Sequence, residues 1–306
     1  MAEVAESVTE FVGARARKKN SRLFVIRRSS LVSLNYSILT TIAVISSIPL
    51  FWMISTSLKE KGREFRFPPE WLPNPVAWNN YIDVWPLTGI HVFFLNSVMV
   101  TVLATIGTVL TCAMVAFGFA RIQFPGRQFL FVLMLSTMML PGIVTLVPQF
   151  VLFKTLGWLD TPLPLIVPFW FGGGAFFIFL VRQFMLQLPK ELDEAALADG
   201  ASYFRIFWNI LLPLSGPALA AVAIFSTQAH WNEFLAPLIF LNSERWRTLA
   251  LALRAFLVDQ SAFGAVSRWN LLMASGVIML LPILILFFSA QRYFIRGVAL
   301  TGLTGR

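Results

Sequence analysis

The 306-residue sequence contains a single cysteine, Cys112. No intrachain disulfide can form, and a cysteine-based metal site cannot be assembled. Its two histidines, His91 and His230, lie far apart and lack the short spacing of metal ligands. Charge is scarce as well: 13% of residues are charged, where a soluble domain carries about 25%. No Gly-x4-Gly-Lys-Ser/Thr occurs, so the chain has no visible means of holding ATP. Neither His-Glu-x-x-His nor Gly-x-Ser-x-Gly is present. Acidic residues are nearly missing from the apolar runs, Glu233 excepted, which argues against an ion-coupled carrier built on intramembrane carboxylates. These absences leave no catalytic residue, no metal site and no bound cofactor to assign, and no enzyme activity is expected.

What the chain has in abundance is apolar sequence. Hydrophobic residues make up 57% of it, and mean hydropathy is +0.74. Spanning a bilayer takes roughly 20 apolar residues. Six stretches qualify: 34–55, 93–119, 129–147, 163–181, 214–241 and 271–289. The expectation is an all-α polytopic membrane protein with six transmembrane helices. The first run starts too late, and runs too long, for an ordinary signal peptide. Six spans place both termini on one side. That side, with the tail 1–33, the loops 120–128 and 182–213, and the tail 291–306, carries fifteen Lys/Arg against nine on the other. Positive loops stay inside, so both termini are expected in the cytoplasm around a permease domain over 34–290. The net charge of +9 is thereby explained without nucleic acid.

The loop 182–213 is unlike its surroundings. Glu191, Asp193 and Glu194 follow Pro189 and sit where a helix dipole favours negative charge. Gly200 can end that helix in the left-handed conformation, and Ser202 can cap a second one carrying Phe204, Phe207, Trp208 and Leu211. Amphipathic helices that rest on lipid prefer Lys/Arg on their polar face. This one is acidic and small-faced, which suits a protein groove better.

Glu194-Ala195-Ala196, Asp199-Gly200, Ile210, Leu212 and Pro213 reproduce the spacing of the signature loop of ABC importer membrane subunits, and the chain resembles that family over most of its length. "AFGFARIQFPGR" (116–127), "PPEWLPNPVAWNNY" (68–81), "NSVMV" (96–100), "WNEF" (231–234) and "QRYFIRGVALTG" (291–302) are similar to the carbohydrate-uptake class, within it to the six-span subunit of maltose-type transporters. The resemblance implies a type I importer permease fold in a prokaryotic inner membrane. It implies a second permease as heterodimer partner, an ATPase dimer that holds ATP and Mg, and an extracytoplasmic solute-binding protein that delivers a sugar. It also makes Glu194, Ala195, Ala196, Asp199, Gly200, Ile210, Leu212 and Pro213 the ATPase-coupling element. Polyols and glycerol phosphates are alternative cargoes. The absence of an anion clamp in the spans favours a neutral glycan. The tail 300–306 departs from the family's usual Gly-Ala-Val-Lys-Gly-like ending.

Gln228, His230, Trp231, Asn232 and Glu233 gather polar and aromatic groups in one part of the fifth stretch, the mixture a sugar path wants, and Asn96 is a further candidate. Two readings of Glu233 stand: a path residue, or a group that pairs with an arginine or caps a kink near Pro237. Gly172-Gly173-Gly174 reads as close helix packing before it reads as a gate. Arg245, Trp246, Arg247 and Arg254, in the loop 242–270, are candidates for contacting the binding protein or anchoring at the interface. A self-sufficient secondary transporter would be expected to show paired broken helices from repeats, which the sequence lacks. A scaffold without transport function is the third class.

Overall fold

The computed structural model describes residues 34–254 and 268–302, with side chains as far as residue 290. The basic tail 1–33, loop positions 255–267 and the chain end 303–306 lie outside the described residues, as do the side chains of the tail from 291. Among the described residues the chain is helix and turn, without strands.

Four helices are long and apolar enough to cross a membrane: α1 (Leu34–Ser57), α3 (Ile90–Arg121), the segment Leu163–Gln187, and the first part, Trp269–Ala290, of the last helix. Two bent pairs raise the count to six if each is one span: Arg127–Met139 with Gly142–Thr155, at 99°, and Tyr203–Leu214 with Gly216–Asn232, at 75°. The chain divides into two compact units at Ser55–Thr56. The first holds nearly all of α1, whose Thr41 and Ser47 hydroxyls donate to the carbonyls of Ser37 and Ala43 four residues back. Such back-bonding satisfies a hydroxyl where no water is available.

In the second unit, α2 (Asn80–Thr88) leads through Gly89 into α3, then α4 (Arg127–Ser136), α5 (Gly142–Thr155), α6 (Leu163–Ile166), α7 (Ala175–Gln187), α8 (Glu191–Ala198), α9 (Tyr203–Ile206), α10 (Leu212–Leu214), α11 (Gly216–Asn232), α12 (Leu235–Phe240) and α13 (Trp269–Gly302). Helix α3 is the spine, packed on α11 and α7. Ala104, Gly107, Thr108, Cys112, Ala113, Ala116 and Ala120 give it a small-residue seam, which lets backbones approach. At its Arg121 end, Phe117 and Ala120 pack with Val181, Met185, Ile206, Phe207 and Leu211. Toward its Ile90 end lie two further clusters, one with Val84, Trp231, Leu249 and Leu271, the other with Phe153, Leu165, Phe240 and Leu251.

Three expected spans are interrupted. The stretch 129–147 turns sharply at Pro141, because proline cannot donate to the preceding turn and drives Leu140 into an extended conformation (φ −80, ψ 117). The stretch 163–181 breaks at Gly172–Gly174, all at positive φ. A Cβ on Gly173 would stand 2.5 Å from Cys112 Sγ and 2.9 Å from the Thr108 carbonyl oxygen, so the same glycines permit both the break and close packing on α3. The stretch 214–241 stops at Asn232, where Glu233 is extended (φ −64, ψ 124) and α12 begins separately.

Candidate functional site

Helix α8 starts at Glu191, with Lys190 at its N-cap and Pro189 one residue outside. Glu191, Asp193 and Glu194 fill its first turn. It ends at Gly200, φ +80, where Gly200 N donates to Leu197 O (3.0 Å) and Ala201 N to Ala196 O (2.9 Å). That paired pattern satisfies carbonyls a helix end would otherwise strand. Ser202 then accepts from Arg205 N at 3.4 Å, starting α9. Between α9 and α10 the helix widens: Leu212 N reaches Phe207 O, five residues back, over a π turn Phe207–Leu211. Pro213 sits just beyond that turn, and the chain bends at Ser215 into α11.

The loop is anchored on one side and bare on the other. Ile206, Phe207 and Leu211 are buried against α3 and α7, with Ala196 and Leu212 packed at their edge. Arg121, at the end of α3 with a side chain only 3% exposed, places Nε 2.8 Å from Asp193 Oδ2. The same guanidinium donates from NH2 to Leu188 O at 2.9 Å. Burial pushes the Asp193 carboxyl above its ordinary value, opposed by the Arg121 charge and assisted by Glu194. Glu194, Ala195, Asp199, Gly200 and Pro213 are exposed, while Ile210 is half-buried. Around them Leu192, Leu197, Tyr203, Phe204 and Trp208 are exposed too, Phe204 by 73%. Phe204 and Trp208 stack at 6.3 Å.

The residues singled out as a path lie in different surroundings. Trp231 is buried in the bundle, its indole N–H donating to Met279 O at 3.0 Å and its ring edge-on to Phe94. Gln228 and Asn232 are exposed one turn apart, Asn232 Nδ2 donating to Gln228 O (2.9 Å). The half-buried His230 ring meets Phe169 edge-on at 4.2 Å. Glu233 Oε1 accepts from Leu235 N (2.9 Å) and Ala236 N (3.0 Å), which caps α12 just ahead of Pro237. Asn96 is buried, and its Nδ2 donates to Arg245 O and Arg247 O, tying the distant loop to α3. Glu233→Gln, which keeps an acceptor oxygen, is expected to leave folding intact. Glu233→Ala is expected to destabilise α12 by about 1 kcal/mol, the ordinary worth of a cap. Thermal unfolding of the two variants in detergent checks the difference; equal midpoints would remove the capping role.

In the loop that begins at Asn242, Arg247 pairs with Glu244 at 3.0 Å, Arg245 lies over its neighbour Trp246, and Arg254 over Phe234. Asp160, in the turn after α5, holds this loop's start: its Oδ1 accepts from Asn242 N and Ser243 N. Those donors, Ser243 first, keep the Asp160 carboxyl below its ordinary range. Positive φ at Asp160 is a conformation that Asp tolerates better than most residues.

Sequence reasoning missed Arg121 and Ile206 among the residues that seat the loop. A signal existed for Arg121, a cation in the last turn of a long apolar helix. Asp193 was legible as an acid of the first turn of α8, and its pairing with Arg121, distant in sequence, carried no signal.

Residues 107–300 match the family described as "Binding-protein-dependent transport system inner membrane component". The chain is 36% identical over 255 residues to the probable ABC transporter permease protein YurM of Bacillus subtilis, covering 82% of this chain and 81% of that protein. It is 35% identical over 271 residues to the arabinooligosaccharides transport system permease protein AraQ of Halalkalibacterium halodurans, covering 86% and 93%. Its fold is similar to a chain in the crystal structure of a bacterial ABC transporter involved in the import of the acidic polysaccharide alginate, with TM-score 0.77, 22% identity, and coverage of 85% and 95%.

Proposed function

The chain belongs to the family of binding-protein-dependent transport system inner membrane components, and on that footing we propose that it is one of two permeases of an ATP-driven sugar importer. Six spans are counted when each bent pair contributes one, the second through Gly216–Asn232 with 203–214 left in the loop, and the Lys/Arg bias favours both termini and the loop 182–213 in the cytoplasm. A solute-binding protein presents a sugar or oligosaccharide on the outer side. An ATPase dimer, holding ATP and Mg, receives α8 and drives the permease pair between inward- and outward-open states. ATP shifts that equilibrium because the closed ATPase binds it more tightly.

One observation carries the reading: a short helix, acidic at its start and bare at Ala195 and from Leu197 to Gly200, stands on a buried anchor amid exposed Leu192, Leu197, Tyr203, Phe204 and Trp208. Apolar groups clustered on a polar loop mark a contact surface. The family likeness supports an ATPase as that partner. Isolation of the tagged chain in mild detergent should recover an ATPase and a second permease in fixed proportion, with hydrolysis stimulated by the solute-binding protein. Recovery of the chain alone would contradict the assignment. A thermal-shift screen of the co-purified binding protein with neutral oligosaccharides, polyols and glycerol phosphate identifies the cargo.

A further inference from the structure

Helix α8 carries acids of two kinds. Glu191, Glu194 and Asp199 are exposed, and none of them makes a salt bridge among the described residues. Asp193 alone turns inward, 13% exposed, onto the buried guanidinium of Arg121. That guanidinium also holds Leu188 O, so a single side chain grips the loop on both sides of Pro189. Nothing in binding an ATPase requires an inward acid. An inward acid suits a rigid joint, because pulling a buried ion pair apart leaves desolvated charges.

We propose that the Arg121–Asp193 pair makes α8 and α3 one moving body, so that force received by the coupling loop enters the membrane bundle through α3. The pair positions the loop and does not itself touch the ATPase. Helix α3 is suited to distribute the motion, since it packs along both α7 and α11 and ties the far loop through Asn96. The buried contacts of Ile206, Phe207 and Leu211 with Phe117 and Ala120 give the joint its apolar half. This inference rests on the proposed transport function and names the element through which it works.

The test uses the complete transporter with Cys112 replaced by Ala, spin labels at the exposed positions Gln123 and Lys190, and Mg-ATP with vanadate as the probe. The unsubstituted pair is expected to give one narrow distance that is the same before and after trapping. Asp193→Asn is expected to lose that narrow distance on trapping. Arg121→Gln, which also releases Leu188, is expected to lose it before nucleotide is added. The exchanged pair Arg121→Asp with Asp193→Arg is expected to restore it. Wild-type distances in Asp193→Asn in both states would overturn the inference alone, as would failure of the exchanged pair to assemble or to restore the distance. A wild-type complex without an ATPase would overturn the transport reading and the inference with it.

Discussion

Gly200→Val is expected to uncouple the complex, with loss of binding-protein-stimulated ATP hydrolysis while the chain still folds and inserts. Gly200 stands at φ +80, and a Cβ there would meet nothing within 4 Å. The effect is therefore one of backbone conformation and not of collision. A side chain in the left-handed region costs about 1–2 kcal/mol, and β-branching makes it a stronger outlier. Relief of that strain rotates the chain at the point that closes α8, so the exposed face of Ala195 and Leu197 to Gly200 loses its shape. Gly200→Asn, which tolerates this conformation, should keep most of the coupling, and Gly200→Ala should lie between. Hydrolysis by the purified complex, with and without its binding protein, ranks the three. Full stimulation in Gly200→Val would remove this loop from the coupling path.

Gly173→Val should have the largest effect on folding. Here both terms act together. The residue stands at φ +56, and its Cβ would lie 2.5 Å from Cys112 Sγ and 2.9 Å from the Thr108 carbonyl. The thiol can shift; the carbonyl belongs to a packed helix and cannot. Strain of about 1–2 kcal/mol from the left-handed backbone adds to about 1–3 kcal/mol from overpacking. A loss of monodisperse protein in detergent, or a large fall in its thermal midpoint, is the expected outcome. The neighbouring Gly172→Ala is the control. Gly172 also has positive φ, but a Cβ there meets nothing within 4 Å, so its effect should be the strain alone. Equal behaviour of the two variants would show that the close approach of the break to α3 contributes nothing.

The loop 182–213 was the most legible part of the sequence, because its determinants are local. Three acids start a helix, a glycine ends it, and a serine caps the next; each signal acts within four residues, and the observed α8, Gly200 and Ser202 follow them. Longer apolar runs were legible as membrane segments but not as bent ones. Prolines occur in several runs, and only packing decides that Pro141 breaks its helix while Pro148 and Pro282 are carried inside theirs.

Single polar residues were the least legible. Glu233 in an apolar run is ambiguous until the helix is seen to stop at Asn232, after which its carboxylate has the next two N–H groups to cap. Trp231, read beside it as part of a path, is committed to the Met279 carbonyl on another helix. Its immediate neighbours Asn232 and Glu233 are exposed. Side-chain direction on a helix changes by about 100° per residue, as 3.6 residues per turn require. Adjacency in sequence therefore says little about adjacency in a site. The Arg121–Asp193 pair joins residues from separate elements, and no spacing rule could have announced it.

The measurement that reaches the central claim most directly is a crosslink from α8 itself. A photoreactive residue at the exposed position Ala195, introduced into the chain and expressed with the rest of its transporter, should join the ATPase subunit on irradiation, with a yield that changes when Mg-ATP and vanadate are added. Crosslinks confined to lipid, or to a protein other than an ATPase, with no response to nucleotide, would contradict the account.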